Sequence, residues 1–173
     1  MKTKIIFILC ILVLFSLNAL AQTNNASAAV ESFYKFHRSR SDIFNARQVA
    51  LRKTWFSTNL NGLFQYELKR ENEFFKKNPT EKPFFGDGFP FQPYDECFKA
   101  GKSYKNAYKV GTAAVQAQKA VVEVQFYTPK VCGGKLIDTY KVELVKSKGK
   151  WLINDWVYPD GRTLIEDLKR KDY

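Results

Sequence analysis

Few side chains here could move a proton near neutral pH, and they lie far apart in the chain. The single histidine is His37, the residue type whose ordinary pKa falls between pH 5 and 8. It shares the spacing i, i+3, i+4, i+7 with Val30, Phe33 and Tyr34, one apolar helical face. There it reads either as a general base bordering a cavity or as a half-buried packing residue. Asp87, Asp95 and Glu96 gather in an aromatic-rich stretch, where burial would raise a carboxyl pKa and make an acid of it. Asp87, between Gly86 and Gly88, equally suits a turn. Asp155 sits between Trp151 and Trp156 in an alternating segment. Alternation puts it on one side with Trp151, Ile153 and Val157, opposite Leu152, Trp156 and Tyr158. A carboxylate on an apolar face needs a partner or water, so Asp155 is a functional candidate if its side lines a cavity.

Zinc, phosphate-loop, nucleophile-elbow and dinucleotide motifs are missing from the sequence, so neither metal nor cofactor is expected. Cys97 and Cys132 have no Cys-x-x-Cys spacing, and His37 is remote from both. A metal pair or a catalytic thiol is the weaker reading beside a disulfide. That bond belongs to an oxidising compartment, which the N-terminus independently suggests. Lys2 and Lys4 precede an apolar run from Ile5 to Phe15, and Ala19 and Ala21 follow. This pattern predicts a signal peptide over residues 1–21 rather than a membrane anchor, because the run is too short to span a bilayer. Cleavage would remove the third cysteine, Cys10, and lower the net charge from +11 to +9. The expected location is periplasmic or secreted. Such a charge favours anionic surroundings, although lysines spread this evenly also serve solubility. Tyrosines and phenylalanines among lysines (Tyr104-Lys105, Tyr108-Lys109) resemble a single-strand platform, but export argues against a nucleic-acid partner.

The elements that must position these residues fall into a single domain over 22–173. Helical spacing covers about 27–40, then 43–54 with Ile43, Ala46, Ala50 and Trp55 or Phe56 inward. A third helix, capped by Ser57, carries a stripe of Leu60, Leu63, Phe64, Leu68 and Phe75. Glu73 and Lys77 form an i,i+4 pair there. Residues 78–102 show neither period and hold Phe84, Phe85, Phe89, Phe91, Tyr94 and Phe98. So aromatic a loop is expected to be ordered and to lie on something apolar. Alternation then predicts four antiparallel strands in a meander, near 108–116, 122–127, 139–144 and 151–158, and a short helix with Leu164, Ile165 and Leu168. Helices followed by strands make the fold class α+β.

Helices packed on a curved sheet of this kind resemble the cone-shaped fold of nuclear transport factor 2 and its SnoaL-like relatives. Phe33-Tyr34, the run from Leu63 to Glu71, Pro83 to Pro93 and Trp151 to Gly161 resemble an exported bacterial family, a domain of unknown function. The resemblance spans most of 29–171 and implies a fold but no reaction. A cone cavity lidded by the aromatic loop implies a non-catalytic binding module. Phe85, Phe89, Phe91, Tyr94 and Trp156 would line its site, for a small apolar ligand or a partner protein. The alternative is a cofactor-free enzyme using Asp155 and Asp87, with or without His37. Two or more of these groups meeting in one cavity would favour the enzyme.

Overall fold

The computed structural model describes residues 25–93 and 97–170. The expected signal peptide, Tyr94, Asp95 and Glu96 lie outside the described residues.

A helix over 25–38 (α1) presents Ala26, Val30, Phe33, Tyr34 and His37 to the interior. The second helix, Ala46–Arg52 (α2), starts at an Asn45 cap and runs into a 3-10 turn, Lys53–Trp55. Its inward residues are Val49 and Arg52, with Phe44 just before it, while Ile43 is exposed. Of the expected inner face, Ile43, Ala46 and Ala50 are therefore corrected, whereas Phe56 is buried. The chain does not become helical until Ala46, so spacing counted from Ile43 starts outside the helix. Ser57 caps the third helix, Thr58–Lys77 (α3), by accepting the Leu60 N–H. Of the expected stripe, Leu60 and Phe64 are buried, and Leu63 and Leu68 pack partly buried against the core. Glu67 and Glu71 take the inner positions and Phe75 is exposed. Glu73 pairs with Lys76 at 2.6 Å, one residue nearer than the expected Lys77.

The main sheet is antiparallel, as alternation predicts. Its strands are β3 Ala107–Val110, β4 Ala114–Gln116, β5 Lys119–Tyr127, β6 Leu136–Ser147 and β7 Lys150–Val157. Both β3 and β4 pair with β5, so the expected first strand is one edge broken at 111–113; β6 and β7 follow in order. Ser27 of α1 serves the break, donating to the Gly111 carbonyl and accepting from Ala113 N–H. The β6–β7 hairpin turns through Lys148 and Gly149, both at positive φ (48° and 79°), the geometry that matches strand twist in a two-residue turn. A separate hairpin, β1 Cys97–Lys99 and β2 Lys102–Tyr104, stands off this sheet. Cys97 and Cys132 are bonded, with Cα atoms 6.3 Å apart. The C-terminal helix, Leu164–Lys169 (α4), opens on a Thr163–Glu166 capping box.

One irregularity decides the last strand. Glu143 pairs with Asp155 but Leu144 pairs with Ile153, so Asn154 is an extra residue in β7. A bulge switches side-chain parity. Ile153 and Trp156 therefore both face the core beside Leu144 and Val142, and the expected alternation of Trp151, Ile153, Asp155 and Val157 on one side is corrected. The outer edge of β7 is covered: Ser57 N–H donates to the Ile153 carbonyl, and Thr163 bridges Val157.

The aromatic loop is ordered over its described part and docks as expected, with Phe85, Phe89 and Phe91 all buried. Phe33, Phe56, Phe91 and Trp156 fill the space between helices and sheet, their six ring-centroid separations running from 4.4 to 6.0 Å.

Candidate functional site

His37 is 2% exposed, with its ring stacked on Phe33 and edge-on to Phe91. Its Nδ1 accepts from Arg52 Nε (3.1 Å), and Nε2 lies 3.2 Å from Asp42 Oδ1. Burial, then the Arg52 charge, lowers its pKa to about 3. The imidazole is neutral, and the lone pair a general base would use is taken by a guanidinium. Arg52 is itself fully buried, donating to the carbonyls of Gln48 and Ser41 and lying 4.5 Å over the Phe89 ring. The group ties α1, α2 and the aromatic loop together. Phe89 N–H completes it by donating to the Asp42 carbonyl.

Asp155 is buried on the face opposite Trp156. Its Oδ1 accepts the N–H groups of Trp156 (2.8 Å) and Ile165 (3.0 Å), and the Thr163 side chain also bonds it. Burial raises its pKa, with these bonds pulling the other way. Ile165 lies in the first turn of α4, whose amides have no intrahelical partner, so Asp155 anchors that helix to β7. Asp87 is exposed and pairs with Lys82, and it lies in the expected turn, where Gly88 N–H bonds the Phe85 carbonyl. Gly88 has φ 114°, and a Cβ there would meet the Asp42 carbonyl at 2.8 Å, so this turn seats against the α1–α2 connection only with glycine. No hydrogen bond or ion pair joins any two of His37, Asp87 and Asp155.

Sequence reasoning missed two carboxylates. Glu67, fully buried, accepts from Arg170 Nη2 at 2.8 Å. Glu71 accepts the Phe85 N–H at 3.1 Å, and burial, reinforced by Glu67, raises its pKa to about 7. The Arg170 guanidinium sits 3.3 Å over the Phe84 ring. Together they clamp the loop between α3 and the C-terminal segment. The signal was present: positions 60, 64, 67 and 71 share one helical face.

A cleft of about 490 Å³ opens between the loop and the sheet. Phe84, Phe85, Phe89 and two prolines form one wall, and Tyr140 and Tyr158 the other. Asp42, Asp87, Asp138, Asp160 and Asp167 line it with a single guanidinium, Arg162. Burial pushes the Tyr140 phenol up to about 12 and raises Asp167. Arg162 bonds Asp160 at 2.8 Å and holds that carboxyl below its ordinary value. Phe85 and Phe89 line this cleft, whereas Phe91 and Trp156 stack on each other in the core.

Neither a family model, nor a curated protein, nor a solved structure matches the chain. Among the described residues no group of His, Cys, Asp and Glu could hold a metal ion, and no helix is long and apolar enough to cross a membrane.

Proposed function

We propose that this is an exported, non-catalytic binding module of the cone-shaped class, whose cleft under the aromatic loop takes a small ligand with an apolar body and a positive charge. The observation that carries the reading is the lining: aromatic rings on two sides and five aspartates against one arginine. Binding sites of this size are mostly apolar with a few placed polar groups. A cation over Tyr140 or Tyr158 gains from the ring faces as well as from the carboxylates. The buried Tyr158 hydroxyl, without a hydrogen-bond partner among the described residues, offers the ligand a further polar contact. Helices followed by a mainly antiparallel sheet and a short C-terminal helix support the cone-shaped reading, and the Cys97–Cys132 bond supports export. The enzyme alternative, built on Asp155, Asp87 and His37, draws no support from groups that do not meet.

The test is thermal unfolding with matched pairs of ligands, a hydrophobic amine against the carboxylate of the same skeleton. A ligand at a hundred times its Kd stabilises by about 2.7 kcal/mol, on the order of 5–10 °C in Tm for a domain of this size. The amine is expected to give the shift and the carboxylate none, with Tyr140→Ala abolishing the effect. Equal shifts from both, or shifts that survive Tyr140→Ala, would overturn the reading.

A further inference from the structure

The five aspartates that line the cleft are not equivalent, because most are already engaged by the protein. Asp87 pairs with Lys82. Asp160 bonds Arg162 Nε at 2.8 Å, and Asp167 lies 3.6 Å from Nη1 of the same guanidinium. Asp42 lies 3.2 Å from His37 Nε2. Among the described residues, only Asp138 of the five has a side chain with no hydrogen bond or ion pair. Its place in the sheet makes that state costly. On β6, positions 138, 140, 142 and 144 share one face, and their cross-strand partners on β5 are Phe126, Val124, Val122 and Ala120, all buried. Tyr140, Val142 and Leu144 fill the core from that face, so Asp138 is a carboxylate on an apolar face where the sheet reaches the cleft. Its charge bears on the Tyr140 phenol, whose ring packs edge-on to Phe126 at 5.2 Å and to Tyr158 at 5.4 Å. Water can satisfy an open carboxylate, but a ligand that fills the cleft displaces that water. An ionised carboxylate has only acceptor sites, and covering it without a donor leaves its desolvation uncompensated.

We infer, on the footing that the cleft is the ligand site, that Asp138 receives the ligand's charged end and that this end is a cation carrying N–H donors, an ammonium or a guanidinium, and not a quaternary ammonium. Aromatic walls by themselves favour any cation, quaternary ones included. A carboxylate beside them changes the preference, because only N–H groups can bond its oxygens. Tyr140, two residues along the strand on the same face, sets its ring beside that head group, while Phe85 and Phe89 on the opposite wall cover the apolar body.

Calorimetric titration of the disulfide-bonded protein with phenethylamine, phenethylguanidine and phenethyltrimethylammonium reads this directly. The three share an apolar body and a positive charge and differ in their N–H donors. At least one of the first two is expected to bind about ten-fold or more tighter than the quaternary salt, the range for a hydrogen bond to a charged group. Asp138→Asn keeps the shape and removes the charge. It should weaken the N–H cation by about ten- to hundred-fold and the quaternary salt much less, so the preference between them narrows. The ligand-free Tm should be unchanged or raised, since the carboxylate holds no partner in the protein; a merely structural role would instead lower Tm and all three affinities together. Glu123→Gln removes a carboxylate from the exposed outer face of the sheet and is expected to leave every affinity as it is. Equal affinities for the three cations, or equal losses from Asp138→Asn and Asp87→Asn, would overturn the role of Asp138 while leaving the cleft a cation site, because the carboxylates would then act only as a common field. Failure of all three cations to bind would remove the cleft as the ligand site, and the role of Asp138 with it.

Discussion

At the scale of single residues, the buried polar groups of this protein are occupied in holding elements together. Asp155 spends its carboxylate on the amides of Trp156 and Ile165. Asp155→Ala should cost about 1–3 kcal/mol in urea unfolding, the range for stranding buried donors, while Asp155→Asn, which keeps an acceptor oxygen, recovers most of it. Arg52 donates to His37, Gln48 and Ser41 from a fully buried position. Arg52→Met should therefore destabilise by about 2–4 kcal/mol despite preserving apolar volume. Two groups give the residue scale a pH signature of opposite signs. His37 is depressed from 6.5 to about 3, so over that window the unfolded chain binds more protons and stability rises with pH. Glu71 is raised from 4.5 to about 7, so over its window the native state binds more protons and stability falls as pH rises. Asp155 and Asp167, also raised by burial, act in the direction of Glu71. Glu71→Gln removes one falling contribution while keeping an acceptor for Phe85 N–H. Its Tm, measured from pH 4.5 to 7, should rise more or fall less with pH than that of the unaltered protein. Parallel curves would show that Glu71 titrates as an ordinary carboxyl.

At the scale of elements, the loop with neither period behaves as a structural layer. Phe91 stacks on Trp156 and accepts the Tyr34 hydroxyl at its carbonyl, and the same hydroxyl takes the Trp156 indole N–H. Phe91→Ala should cost about 3–5 kcal/mol, the usual loss for emptying a packed phenylalanine site, and Phe84→Ala far less, since Phe84 is half exposed. Denaturation midpoints of the two variants check the contrast. The disulfide spans 35 residues, and on the chain-entropy model its loss through Cys97→Ser with Cys132→Ser should cost about 4 kcal/mol. A drop in the urea midpoint well under that size would mean the hairpin is held mainly by its other contacts.

Across the whole molecule, charge is unevenly placed. The charged groups that line the cleft are five carboxylates against one guanidinium, whereas lysine is the only charged residue type in 97–106 and 128–136.

Period and punctuation in the sequence determined a large part of this. Alternation in 122–127 and 139–144 reads as strands because a side-chain period of two has one geometric meaning. Ser57, Pro79 and the glycine turns mark element ends for local reasons. Even the burial of Phe85, Phe89 and Phe91 was legible, since so many aromatic rings in a proline-rich stretch have to find apolar cover. What the sequence could not carry was any feature created by contacts between distant segments. The bulge at Asn154 lies where β7 pairs with β6 on one side and meets Ser57 and Thr163 on the other, and it makes local alternation misread Asp155 and Trp156. Glu67 and Glu71 face inward because Arg170 and the Phe85 amide, far along the chain, satisfy them there. His37 loses its free lone pair to Arg52, a residue no local pattern joins to it. Periodicity is a short-range property of the backbone, whereas the protonation and availability of a side chain depend on whichever neighbours tertiary packing supplies. The helices and strands β5, β6 and β7 were therefore readable from the chain alone, while the broken first strand, the β1–β2 hairpin, the cleft and the clamp were decided only by the fold.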